Sequence, residues 1–352
     1  MDGKDALEWA DLTLAMDLLA MNSSITPLTP LVQGRRPFQW VNWEAAKLLE
    51  TLRESYLLQD DPTRVLQDAE SLRASHIRLG SAWQAWARLR DSVVQQINSG
   101  EQNPAIFLDA KPTDAWVLSS PWVMKYYVKG GPLSNGRTGF VLSNANWDPY
   151  PMTNDIEAFN LAFANMAVTV ASRIDRFNDR GPTAFFTVIK PTDVLTPEQY
   201  ARSPHLSEPF FTYLDVWKEI QVLTQSVPPD SSGSDFGVAD LEAVSRLKAN
   251  RGLKAVDLFM QLLSYDFITS TYWLDVRKIQ TPARSFGPAA TAAWTAFRKV
   301  VPWQLDQDDR EPIPYGVQAY HFMKANPART FMAGITTPAA PASPSPPPRM
   351  AK

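Results

Sequence analysis

Apolar side chains recur three and four positions apart along most of the chain, the period of an amphipathic helix, with only short stretches of alternation between them. Residues 4–21 place Leu7, Leu14 and Leu18 on one stripe, with Ala10, Ala15 and Met21 beside it. Pro27, Pro30 and Pro37 then forbid a helix through their own positions. A second helix is expected after Asn42, a good N-cap, using Leu48, Leu49, Leu52 and Tyr56. Pro62 opens a third segment that runs to Ile97, on a stripe of Leu72, Leu79, Ala82, Trp86, Leu89, Val93 and Ile97.

Between Ser99 and Pro151 the pattern shortens into β-branched and aromatic runs bounded by Gly-Pro and Asn-Gly, which predicts two or three short strands. Helix resumes at Thr153–Phe177, with Asn154 as cap and a seam of Ile156, Phe159, Phe163, Met166, Val170, Ile174 and Phe177. Alanines beside the seam predict close contact with neighbouring helices, so this helix is expected at the centre of the fold. Gly181-Pro182 ends it, and residues 184–190 (AFFTVIK) read as a strand. A capping box at Thr196–Gln199, a helix over 209–227 and further helices near 239–250, 253–276 and 289–300 follow. The fold class is therefore mainly α with a few short strands.

Composition narrows the function classes. The chain has 352 residues, no cysteine and a formal net charge of −3. Thiol chemistry and Cys-based zinc sites are excluded, and any contact with a polyanion must be a local patch. Acidic residues near the start (Asp2, Asp5, Glu8, Asp11, Asp17) are unlike a secretory or transit peptide, and no apolar run approaches the ~18 residues that span a bilayer. Twelve tryptophans suit either a large core or an interface. His76, His205 and His321 stand far apart, which does not make a metal site. Asp235–Gly237 spells DFG without the rest of the kinase set, and the turn around Ser134 lacks the spacing of a nucleophile elbow.

One charged stretch is less ordinary. From Ser71 to Arg90 there are Arg73, Arg78, Arg88 and Arg90 with His76 and no acid, and Trp83 lies among them off the apolar stripe. Arginine beside an aromatic ring suits phosphate and sugar contact, and a solvated helix face fits the same residues. Arg246, Lys248, Arg251 and Lys254 form a weaker group of the same kind.

The run WDPYPMTNDIEAFNLAFANMAVTVASRIDRFNDRGPTAFFTVIKP, Trp147 to Pro191, resembles the central region of capsid proteins of plant partitiviruses, and is most similar to those of the deltapartitivirus group. That resemblance implies a helical capsid subunit without catalysis or cofactor, pairing as dimers that close into an icosahedral shell. It implies a shell subunit over residues 1–335, a projecting subdomain over about 184–245, and partners that are copies of the chain, viral double-stranded RNA and polymerase. Location would be the virion and the host cytoplasm. On this reading Arg73, Arg78, Trp83, Arg88 and Arg90 face RNA. The Pro-rich residues 336–352 cannot pack a core and are expected to be a disordered tail. An RNA-binding nucleoprotein and an enzyme using carboxylates are the alternatives.

Overall fold

Helical periodicity becomes helix over most of the chain. The structure, a computed structural model, describes residues 3–178, 191–202, 212–227, 241–303, 315–336 and 338–342. In chain order the helices are α1 (Gly3–Met21), α2 (Pro30–Gln33), α3 (Gln39–Thr51), α4 (Glu70–Arg73), α5 (Ser75–Ile97) and α6 (Pro121–Met124). They continue with α7 (Tyr150–Asn178), α8 (Pro197–Arg202), α9 (Thr212–Leu223), α10 (Ser245–Gln280), α11 (Gly287–Arg298) and α12 (Tyr315–Ala325). Among the described residues there are also three strands: β1 (Ala105–Leu108), β2 (Tyr127–Lys129) and β3 (Thr138–Leu142). The expected class, mainly helical with a few short strands, is what forms. Among the described residues no helix is long and apolar enough to cross a membrane.

The chain divides into two compact units. The first comprises Met1–Arg88, Ile156–Ser226 and Leu247–Lys352. Its core is built on α1, buried from Ala6 to Ala20, which packs on α3 and α11 and on the turn Ala328–Thr330. Trp9 is fully buried there: its Nε1 donates to the Met323 carbonyl (3.0 Å), and its ring meets the edge of Phe267 at 5.4 Å. The α7 seam expected from sequence is buried at every position from Ile156 to Phe177. Burial of its seven large apolar side chains contributes about 1.5–3 kcal/mol each.

Two glycines mark close approaches. A Cβ at Gly80 would come within 2.7 Å of the Trp40 carbonyl oxygen, so only glycine lets α5 lie this near the start of α3. A Cβ at Gly252 would meet the Asn160 amide oxygen at 2.2 Å. Sequence reading placed a break near Gly252; instead α10 runs through it, and Asn160 Nδ2 donates to the Lys248 carbonyl (3.1 Å).

The second unit comprises Leu89–Asp155 and Val227–Arg246. Its antiparallel sheet has the order β1-β3-β2, with Phe140 paired to Phe107 on one side and Tyr127 on the other. Phe140 is buried, its ring 5.0 Å from Tyr127. Trp116 and Trp122 are exposed, in contrast to Trp9 and Trp83 in the first unit.

Element boundaries moved where a side chain outside the periodic run supplied the cap or the brake. α7 begins at Tyr150, because the Asp148 carboxylate accepts the Tyr150 N–H (3.0 Å) ahead of the expected cap at Asn154. α3 starts at Gln39, before Asn42. The helix expected from Pro62 does not form until Glu70: Arg64 draws in the carbonyls of Tyr56, Leu57 and Gln59, and Asp61 accepts from Asn22, which holds the intervening segment in turns. The capping box at Thr196 and Gln199 forms with both hydrogen bonds in place. Residues 184–190, His205 and Asp235–Gly237 lie outside the described residues, as do most of the segment 203–240 and residues 343–352. Within 336–342, the Pro338 carbonyl accepts from Trp43 Nε1 at 2.9 Å.

Candidate functional site

Buried polar side chains gather in several groups in the first unit, and three of those groups differ in chemistry. On α1, Asp11 is fully buried. It pairs with Lys47 of α3 and accepts from Trp83 Nε1 at 3.1 Å. The Lys47 ammonium sits over the rings of Trp83 (4.3 Å) and Trp43 (4.9 Å). Burial pulls its pKa down, but Asp11, Glu44 and Glu8 more than offset this and hold it above the ordinary value. Glu44 is held well above the usual carboxylate range by burial and by the neighbouring Asp11, while Lys47 opposes the shift.

A second group is centred on Arg173 of α7. Its Nε lies 2.5 Å from Asp17 of α1, its Nη2 2.5 Å from Asp266 of α10, and all three residues are 2% exposed or less. Burial and the adjacent Asp266 raise Asp17 well above its ordinary range. Asp266 is raised by burial as well, while the hydrogen bond with Asp17 lowers it. Burial thus favours the neutral form of both acids, and the Arg173 guanidinium between them opposes it. Arg173 Nη1 also donates to Ser75 Oγ (3.2 Å) at the start of α5.

The third group differs from both. At the junction of α4 and α5, Ser71 Oγ, Arg73 Nε and His76 Nδ1 are buried with no hydrogen-bond partner among the described residues. His76 is 3% exposed, and burial pulls its pKa from 6.5 to about 4, opposed by the Arg73 carbonyl. The imidazole is thus neutral at pH 7. Gln33 of α2 gives its amide nitrogen to the Pro27 carbonyl (2.7 Å) and to His76 Nε2 (3.0 Å). Because that amide donates, Nε2 accepts and the ring proton sits on Nδ1. The junction then offers three donors, a hydroxyl, a guanidinium N–H and an imidazole N–H, the last with the Arg73 carbonyl close by. Buried donors without partners cost about 1–3 kcal/mol each, and such a set is suited to an anionic ligand. Beside them Arg73 Nη2 lies 3.3 Å from the exposed carboxylate of Glu70, one helical turn away. Asp68 is buried near the same junction and takes the Ser24 backbone N–H at 2.8 Å.

Residues singled out in the sequence as facing RNA are dispersed. Arg78, Arg88 and Arg90 are exposed, with Arg90 paired to Asp91 at 2.7 Å. Arg73 is half-buried at the junction. Trp83 is 4% exposed and packs edge-on against Trp43 and Trp86 rather than lying open among the arginines. In the second basic group, Lys248 pairs with Glu157 (3.2 Å), Lys254 with Glu219 (2.5 Å), and Arg251 donates to the carbonyls of Leu223 and Val222. Among the described residues no cluster of His, Asp and Glu could hold a metal ion.

Sequence reading missed Asp17, Arg173 and Asp266. Asp17 and Asp266 left a signal, each a single charge inside an otherwise apolar helical run, whereas Arg173 stands beside Asp175 and Arg176. Ser71 left no such trace.

The fold is that of the helical ammonia-lyases and aminomutases. The ergothioneine-degrading enzyme ergothionase from Treponema denticola superimposes with a TM-score of 0.72 at 18% identity, over 92% of this chain and 57% of that one. Tyrosine aminomutase from Streptomyces globisporus gives 0.69 at 17% identity, over 96% and 61%. The chain belongs to the aromatic amino acid lyase family, whose model matches residues 1–299. Histidine ammonia-lyase of Streptomyces avermitilis is 24% identical over 300 residues, 82% of this chain and 49% of that protein. The chain spans about half the length of the curated relatives it matches.

These findings overturn the capsid resemblance and what it implied. The family is one of enzymes, so the non-catalytic reading falls, together with the icosahedral shell, the RNA and polymerase partners and the virion location. The likeness rested on Trp147 to Pro191, most of which is α7. Its phenylalanine seam and alanine flanks follow from burial between helices, and burial imposes that pattern in any family.

Proposed function

We propose that this chain is a carbon–nitrogen lyase subunit that takes ammonia from an aromatic amino acid, with the α4–α5 junction holding the substrate's charged end. Family membership of residues 1–299 carries the reaction class. In such a reaction the bond to the amino group and one carbon–hydrogen bond break, a carbon–carbon double bond forms, and the products are an aryl acrylate and ammonium. Arg73 Nε, Ser71 Oγ and His76 Nδ1 are the donors for the substrate carboxylate, since charge-assisted hydrogen bonds are the strong ones. The Glu70 carboxylate, 3.3 Å from Arg73, stands where the ammonium of the same zwitterion can be met. With its proton on Nδ1 and its pKa near 4, His76 stays a neutral donor throughout the neutral range.

Incubation with histidine, phenylalanine and tyrosine in turn, followed by ultraviolet absorbance of the conjugated acid and by ammonia release, tests this directly. Turnover of at least one is expected, and Arg73→Gln should raise KM by about tenfold or more. No turnover of any of the three by the unaltered protein defeats the activity. Undiminished turnover in Arg73→Gln moves the carboxylate site elsewhere.

A further inference from the structure

The α4–α5 junction is an interrupted helix. α4 is a single turn, closed by the Ala74 N–H on the Glu70 carbonyl (2.9 Å), and α5 starts afresh at Ser75. At the interruption the Ser75 hydroxyl bonds the Ser71 carbonyl. Three unpartnered donors hang on a piece of backbone that the regular helix ladder does not carry across, so something else must fix it.

We propose that Arg173 is the positioning residue for this junction: anchored by Asp17 and Asp266, it grips Ser75 and through it orients Ser71, Arg73 and His76. This rests on the reading of the junction as a carboxylate site.

The path is continuous. Arg173 Nη1 donates to Ser75 Oγ at 3.2 Å, and that oxygen's own proton goes to the Ser71 carbonyl. Ser75 is 2% exposed, so no solvent competes for either bond. Arg173 cannot swing away, because α1 and α10 each contribute a carboxyl to it, and a planar guanidinium held on two edges has one orientation. Its charge faces a carboxyl on each side, an attraction that holds the group together in the buried interior. Thr169 Oγ1, 3.5 Å from the same Nη1, is the other hydroxyl on this nitrogen and has no link to α4. That difference supplies an internal control. Sites with loosely supported binding groups lose affinity through misplacement of about an ångström, which is the effect a missing anchor produces.

The full chain is compared with Ser75→Ala, Ser75→Thr and Thr169→Val, using cinnamate as the aromatic carboxylate probe. Two quantities are read: the cinnamate dissociation constant by calorimetry, and the His76 titration by NMR. Ser75→Ala is expected to weaken cinnamate about tenfold. The same variant should lift the His76 midpoint from about 4 toward 6.5 as the junction loosens and water enters. Thr169→Val should change neither, and Ser75→Thr, which keeps the hydroxyl, should restore both. Unchanged values in Ser75→Ala overturn the proposal, and so do equal shifts in Ser75→Ala and Thr169→Val, which would mean general loosening. If the unaltered chain does not bind cinnamate, the carboxylate reading fails by itself. The His76 titration then decides the positioning: movement in Ser75→Ala alone supports it, and no movement overturns it.

Discussion

The Arg173 cluster and the α4–α5 junction touch through one serine, yet they treat buried polarity in opposite ways. Around Arg173 one guanidinium is gripped from two sides by the carboxyls of Asp17 and Asp266. At the junction the donors are in excess, and a hydroxyl, a guanidinium N–H and an imidazole N–H find no acceptor among the described residues. Burial differs too: the Arg173 group is 2% exposed or less, whereas Arg73 is half-buried and Glu70 exposed. The Arg173 set is closed by its ion pairs, whereas the donors of the junction stand open to what an anion would bring.

Breaking the closed set should cost most. Arg173→Ala leaves a carboxylate in the core without its counter-charge, and denaturant unfolding should show a loss of about 3–5 kcal/mol. A loss below about 1 kcal/mol would mean that water reaches the cluster, which ends the contrast.

The junction should reveal itself through pH. The ordinary pKa of His76 is 6.5 and burial lowers it to about 4, so the folded protein binds fewer protons than the unfolded chain between those values. The contribution is present above pH 6.5 and is lost as pH falls toward 4, amounting to about 3 kcal/mol at the bottom of that window. Subtracting the stability profile of His76→Gln from that of the unaltered protein isolates it. A flat difference across pH 4–6.5 would place the imidazole in water.

Asp17→Asn should do least. Burial and Asp266 already push Asp17 toward its neutral form, and an amide keeps an oxygen facing Arg173 Nε. Unfolding free energy at pH 7 should change by less than about 1 kcal/mol. A larger drop would show that Asp17 is ionised, and the cluster would then carry a net negative charge.

These two regions also show where sequence reading works. The α7 seam was readable residue by residue, because apolar burial repeats at the helical period and every seam position is indeed buried. The short strands were visible for a similar reason: alternation and turn residues are local. Asp11, Asp17 and Arg173 were harder. Their partners lie 36, 156 and 93 positions away in the chain, at Lys47, Arg173 and Asp266. A charge in an apolar run announces that a partner exists without saying where. The junction was legible least of all, since the late start of α4 is set by Arg64 and Asp61 and the break before α5 is held at Ser75, none of which belongs to the hydrophobic pattern. Arg73 was noticed in the sequence, but for its neighbours in a basic stretch rather than for its buried Nε.

Trp40 and Trp43 on α3 and Trp83 and Trp86 on α5 stand in a row with ring centres 5.5, 5.5 and 5.7 Å apart, each ring turned steeply to the next. Indoles so close and so skewed do not absorb light independently; excitation is shared, and the row behaves as one chiral chromophore. Its handed signal in the near-ultraviolet depends on α5 lying against α3 as closely as Gly80 permits. The helix that carries His76 therefore brings its own optical gauge: the part of the indole-band circular dichroism that Trp83→Phe removes reports whether that helix is seated.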